Sequence, residues 1–382
     1  MRIIYFSSLV FLSIFSPACA QQKAEKVSVN RSEAGMTKAV KFELTDFLKE
    51  NEALDDRVNA YFAKMDDTAK VAQLIMPAVG RLGQTKATIE QHIKDRIIGG
   101  VLMLNGTKEE FSSWIIDFEK ANKKRGNLPF LYSADAEPSL VNRKIIGSTV
   151  VKKAGEISSV EEVNEVATTI SNDLKAIGIN YNFAPVVDFS TNKTVGYRGF
   201  GAQPENLIPW SDAFIQTTQN NNIIATAKHF PGHGLVSGDT HKALQVIDGD
   251  LKELDTYPKL ISNGVLSVMV AHIAIQNNAK YNTNGLPATC SEKIVKNLLR
   301  DSLGFKGLIV TDAMNMGGVV SVPKAAMKAV DAGVDIVLMP VDAKKAHTEI
   351  LEEYRKNAAF RKKVDAAAKR VIRMKIAIGL LP

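Results

Sequence analysis

An α/β fold, a closed (β/α)8 or TIM barrel in one domain, is predicted by three observations. Short apolar runs recur eight times, at 71–78, 97–105, 128–135, 179–188, 223–229, 265–272, 307–312 and 334–339. They are apolar almost throughout, as strands covered on both faces of a parallel sheet are. Amphipathic stretches alternate with them over about 270 residues, the size of such a barrel. A doubly wound open sheet would show a Gly-rich dinucleotide turn after its first strand, and Pro77-Ala78-Val79-Gly80 is not one.

Each element has a local reason. The clearest helix places Val160, Val163, Val166, Ala167, Ile170, Leu174 and Ile177 at spacings of three and four. Ser159 with Glu162 predicts a capping box at its start, and Gly178 ends it. Ahead of the barrel, Met1-Arg2 gives a positive start, residues 3–15 are largely apolar, and Ala18-Cys19-Ala20 is a small-x-small cleavage pattern. Residues 1–20 are therefore expected to be a signal peptide, and the protein to be exported, periplasmic or secreted; cleavage before Cys19, with lipid attached there, is the variant. Residues 21–50 are polar, without a sustained period, and are expected to be a tether or a surface-wrapping segment. Residues 51–382 make up the barrel domain.

Of the 382 residues 45% are apolar and 23% charged, which excludes a disordered chain or a fibre. The net charge of +7 is scattered, without a dense basic run, and points to no nucleic-acid partner. Two cysteines, Cys19 and Cys290, support neither a disulfide framework nor a Cys-rich zinc module. No segment after the leader predicts a transmembrane anchor.

The strand ends carry chemistry. Apolar runs finish at Asp135, Asp188, Lys228-His229, His272 and Asp312, the side of a barrel where active sites form. Lys228-His229-Phe230-Pro231-Gly232-His233-Gly234 is followed four residues later by Asp239-Thr240-His241. Three histidines and an aspartate this close allow a metal site, with His229, His233, Asp239 and His241 as ligands. They equally allow acid–base catalysis, with a carboxylate orienting an imidazole whose pKa lies near the working pH.

This long motif closely resembles the β-N-acetylglucosaminidase branch of glycoside hydrolase family 3. Asn182-Phe183-Ala184-Pro185-Val186-Val187-Asp188, Arg198-Gly199-Phe200-Gly201, Gly307-Leu308-Ile309-Val310-Thr311-Asp312 and Ala332-Gly333-Val334-Asp335 are similar to further family blocks, in the family's order. The resemblance implies a retaining exo-acting hydrolase that needs no metal or cofactor and removes terminal β-linked N-acetylglucosamine from a carbohydrate substrate. Asp312 would be the nucleophile, His241 the acid/base and Asp239 its partner. Asp135, Arg143, Arg198, Lys228 and His229 would bind the sugar. Cell-wall muropeptides and chitin fragments are the expected sources. The alternatives are a family 3 β-glycosidase or phosphorylase of altered sugar preference, with phosphate as acceptor in the latter, and a non-catalytic glycan-binding barrel. The chain departs from the family at Pro138 and Ser139, which replace two glycines, so that loop must follow another path. Ala313 stands where a second acidic residue is usual.

Overall fold

The computed structural model describes residues 41–201 and 204–382. The expected leader, Cys19 and residues 21–40 of the expected tether lie outside the described residues. Eight parallel strands form the centre: β1 (Ile75–Met76, resumed at Ala78–Val79), β2 (Gly100–Met103), β3 (Leu131–Ala134), β4 (Tyr181–Asn182), β5 (Ile224–Phe230), β6 (Ser267–Val270), β7 (Leu308–Thr311) and β8 (Val337–Leu338). Successive strands are neighbours, with Ala78 opposite Leu102, Gly100 opposite Leu131, Ser133 opposite Tyr181 and Tyr181 opposite Ile224. Thr226 faces Ser267, Ser267 faces Leu308, and Val310 bridges to Ile336 at the start of β8. Finally β8 returns to β1, with Ile75 opposite Val337, so the ring closes and leaves no strand edge.

The interior and the mantle are separate cores. Met76, Leu102, Leu131, Tyr181, Phe183, Met269, Leu308, Val310 and Leu338 fill the barrel, where the Tyr181 hydroxyl lies 2.5 Å from that of Ser267. Strand faces that point outward pack on the surrounding helices in two further clusters. Leu44 and Phe47 join the interior cluster with Val371, Met374 and Ile378 of the C-terminal end. The last ten residues of the 21–50 segment thus pack as part of the domain, because Phe42, Leu44 and Phe47 supply an apolar anchor within a polar sequence.

Two local expectations need correction. The run 71–78 is not one strand: Asp66 caps a helix over Asp67–Ala72 by accepting the Ala69 N–H, and β1 begins only at Ile75. Val71 and Ala72 are apolar because they form the buried side of that helical turn. At Val160–Ile177, Ser159 does accept the Glu162 N–H, and Gly178 ends the helix at a φ of 98°. The reciprocal half of the capping box is missing. The Glu162 carboxylate is drawn to Lys152 and to the N–H of Ser158 instead.

Phe183, fully buried beside Tyr181 at 4.8 Å between ring centroids, is the largest apolar side chain at the upper end of the interior. Phe183→Ala is expected to destabilise the fold by about 3–5 kcal/mol. A denaturant titration should show a lower midpoint at unchanged slope.

Candidate active site

Above β3 and β5 lies a chain of buried charges. Lys228, 1% exposed, is the penultimate polar position of β5, and its ammonium stands 2.9 Å from Asp135 and 2.6 Å from Glu137. The second oxygen of Asp135 receives Lys144 at 2.8 Å. Arg198, from the loop after β4, grips Glu137 with two N–H groups at 2.9 and 2.6 Å. Burial alone would raise the pKa of Asp135, but Lys144 and Lys228 hold it far below the usual carboxylate range. Glu137, against the same burial, is pulled down to about 2 by Arg198 and then Lys228. The changed residues Pro138 and Ser139 open a helical turn, with the Glu137 carbonyl accepting the N–H groups of Leu140 and Val141. Ser139 donates to the Tyr197 carbonyl and accepts the Ala154 N–H, so this loop is tied to the β4 loop by a side chain. Arg143, on the same turn, donates to the Tyr197 hydroxyl at 3.2 Å.

The histidines of the long motif go to different partners. Asp188 accepts the backbone N–H groups of His229 and His233, and its second oxygen lies 2.6 Å from His229 Nδ1. His233 Nε2 lies 2.9 Å from the Thr240 hydroxyl. His241 Nδ1 lies 2.8 Å from Asp239, which also accepts the His241 N–H. Among the described residues no group of three His, Cys, Asp or Glu side chains is arranged to hold a metal ion, and the four candidate ligands do not converge. Behind Asp188, the buried carboxylate of Glu253 accepts three backbone N–H groups, and burial with the charge of Asp188 pushes it up to about 7.

Asp312 follows β7 directly. Its carboxylate accepts the Ala313 N–H at 2.8 Å. Burial raises its pKa, but His229, His272 and that N–H together keep it below the ordinary range, so it is ionised at neutral pH. At Asp239 burial likewise raises the pKa, and the hydrogen bonds from His241 overcome it and hold the carboxyl below its ordinary value. Two backbone bonds join the Asp239–His241 loop to the Asp312 loop, Gly317 N–H to the His241 carbonyl and Gly318 N–H to the Thr240 carbonyl, both 2.9 Å. A Cβ on Gly317 would fall 2.2 Å from the Lys242 oxygen, so only glycine allows this approach.

These groups meet. Asp312, His241, Asp135, Arg143, Arg198, Lys228 and His229 line a single cavity of about 430 Å³ at the C-terminal ends of the strands. Asp239 is the one expected site residue outside its lining; it stands behind His241 at hydrogen-bond distance. A carboxylate at the end of a buried strand thus faces the same space as a carboxylate-backed imidazole. Residues 67–374 match the family model described as the glycosyl hydrolase family 3 N-terminal domain. The chain belongs to glycosyl hydrolase family 3. Among curated relatives, the chain is 28% identical over 304 residues to a beta-N-acetylglucosaminidase/beta-glucosidase of Cellulomonas fimi, covering 74% of this chain and 53% of that protein. It is 30% identical over 266 residues to beta-hexosaminidase A of Pseudoalteromonas piscicida, covering 61% and 44%. The chain therefore spans about half the length of these two relatives. A family 3 beta-N-acetylglucosaminidase structure from Paenibacillus superposes with a TM-score of 0.75 at 28% identity, covering 83% of this chain and 63% of that one.

Four charged residues that support this site are not assigned these roles by the sequence. Neither the pairing of Glu137 with Arg198 nor that of Lys144 with Asp135 has a local signal, and Asp188 reads only as a charged strand end. Glu253 carried no local signal at all, since its partners are backbone groups 18 to 64 residues away.

Lys228→Met leaves Asp135 and Glu137 with one cation fewer in a buried setting, and should destabilise the fold by about 3–5 kcal/mol in denaturant titrations. Glu137 gives a pH signature. Its pKa is lowered on folding, so its contribution is complete above about pH 4.5 and is lost as the pH falls toward about 2. The melting temperature of Glu137→Gln should accordingly change less than that of the parent between those pH values.

Proposed function

We propose that this family 3 chain is a retaining exo-β-N-acetylhexosaminidase that releases terminal β-linked N-acetylglucosamine. The single observation that carries the reading is the Asp312 carboxylate and the His241–Asp239 pair, 2.8 Å between ring and carboxylate, facing one cavity. The names of the curated relatives support the same sugar class.

Asp312, kept ionised, attacks the anomeric carbon and forms a glycosyl ester as the glycosidic bond breaks. His241 gives its proton to the departing oxygen from Nε2, the ring nitrogen not engaged by Asp239. The Asp239 carboxylate holds the other nitrogen and stabilises the imidazolium before transfer. In the second half, neutral His241 takes a proton from water as that water attacks the anomeric carbon, and the bond from this carbon to Asp312 breaks, releasing the sugar and the carboxylate. Asp135, Arg143, Arg198, Lys228 and His229 hold the sugar. Asp135 already serves two lysines, so it accepts hydroxyl protons with its remaining lone pairs. Lys228 and Arg198 keep spare N–H donors beyond those given to Glu137.

Phosphate as acceptor is a second reading, favoured by Arg143, whose hydrogen bond among the described residues goes to the Tyr197 hydroxyl rather than to a carboxylate. The sequence of residues 1–20 supports export, with lipid attachment at Cys19 as the alternative to cleavage after Ala20, and muropeptides or chitin fragments are the substrates expected there.

The test is release of 4-nitrophenol from its β-N-acetylglucosaminide and β-glucoside, with and without phosphate. Turnover of the first substrate is expected, falling to background in Asp312→Ala and by about 10²–10⁴-fold in His241→Ala. Sugar 1-phosphate formed with phosphate present identifies the phosphorylase. An Asp312→Ala protein as active as the parent overturns the mechanism, and binding of glycan without turnover identifies a lectin-like barrel.

A further inference from the structure

We propose that Glu253 is a positioning residue for the acid/base histidine: from behind the β5 loop, its carboxylate sets the path of the segment that carries Asp239 and His241. This rests on the hydrolase reading above. Glu253 lies between the short strand Gln245–Asp248 and the helix Thr256–Ser262, is 4% exposed, and does not line the cavity. One of its oxygens accepts the N–H of Phe189 at 2.7 Å and of Gly234 at 3.1 Å, and the other accepts the N–H of Leu235 at 3.0 Å. Three backbone donors on one buried carboxylate join the β4 loop to the β5 loop at the point where the chain leaves the barrel.

The fit is close on both sides. A Cβ on Gly232 would lie 2.5 Å from the Glu253 Cβ, and one on Gly234 would lie 2.6 Å from its carboxylate and 2.1 Å from the Phe189 carbonyl. The two glycines of Pro231-Gly232-His233-Gly234 are thus the surface on which the Glu253 side chain rests. From this anchor the restraints continue without a gap. The buried Asn192 side chain donates to the carbonyls of Val236 and Gly238, His233 meets the Thr240 hydroxyl, and Gly318 and Gly317 hold the carbonyls of Thr240 and His241. His241 itself is 60% exposed in its side chain, so its placement comes from its backbone and from Asp239 rather than from packing around the ring. Removing the anchor lets the loop shift while Asp312, directly after β7, stays where it is.

A displaced acid/base has a specific kinetic signature, because protonic assistance matters in proportion to the basicity of the leaving group. The variant is Glu253→Gln, which keeps the shape but turns one acceptor into a donor facing backbone N–H groups. The measurement is kcat/KM, which reports glycosyl transfer to Asp312, for a 2,4-dinitrophenyl β-N-acetylglucosaminide and for N,N′-diacetylchitobiose. A loss of about 10-fold or more on the disaccharide, with a change of about 3-fold or less on the dinitrophenyl substrate, is expected. Equal losses on both substrates, or none on either, overturn the proposal. If Glu253→Gln does not fold, Glu253→Asp, charged but one methylene too short to reach all three donors, is read by the same ratio. Parent turnover of the dinitrophenyl substrate reports on the hydrolase reading separately, since the positioning role concerns only the ratio between leaving groups.

Discussion

The ammonium of Lys228 is the interaction on which the rest of the site depends. It is buried at the end of β5 and is shared by Asp135 from β3 and Glu137 from the turn after it. Glu137 in turn fixes Arg198 of the β4 loop. Two neighbouring loops and the end of β5 are therefore locked to one another by charge rather than by apolar packing. Each ion is tolerable only because the others are present, since an unpaired charge at this depth is strongly unfavourable. Such a network is specific to one geometry, and it leaves a set of unspent donors and lone pairs pointing into the cavity. A polyhydroxylated ligand needs such an array, because each hydroxyl both gives and accepts.

A second set of anchors uses carboxylates in another way. Asp188 and Glu253 accept mainly backbone N–H groups, and between them they bind His229, His233, Gly234, Leu235 and Phe189. Five residues of the motif Lys228-His229-Phe230-Pro231-Gly232-His233-Gly234 are thereby explained. Lys228 and His229 face the cavity, while the backbone after them is bound from behind. Gly232 and Gly234 remain small so that the glutamate can approach, and His233 reaches forward to Thr240 between the dyad residues.

The barrel was legible because its strands are covered on both faces, and a run apolar at every position leaves few alternatives. The run 71–78 is ambiguous in this respect, because a capped helical turn and a strand share one apolar stretch. The site was legible where chemistry sits at strand ends or in one short motif, as with Asp135, Lys228, His241 and Asp312. It was not legible where partners come from distant loops. The place of Lys144 opposite Lys228 on Asp135 depends on how the turn after Pro138 folds, and the role of Glu253 depends on the tertiary path of two other segments.

The bonds from Gly317 and Gly318 to His241 and Thr240 run between main-chain atoms alone. The spacing between Asp312 and His241 is in this way held in part by the polypeptide itself, in front of the path that Glu253 sets from behind, and exposed side chains take no part in it. Exposed neighbours such as Leu235 and Val320, on the two joined loops, can be exchanged without altering that spacing. On the hydrolase reading, the outer faces of these two loops can therefore drift in sequence while the distance between Asp312 and His241 is kept.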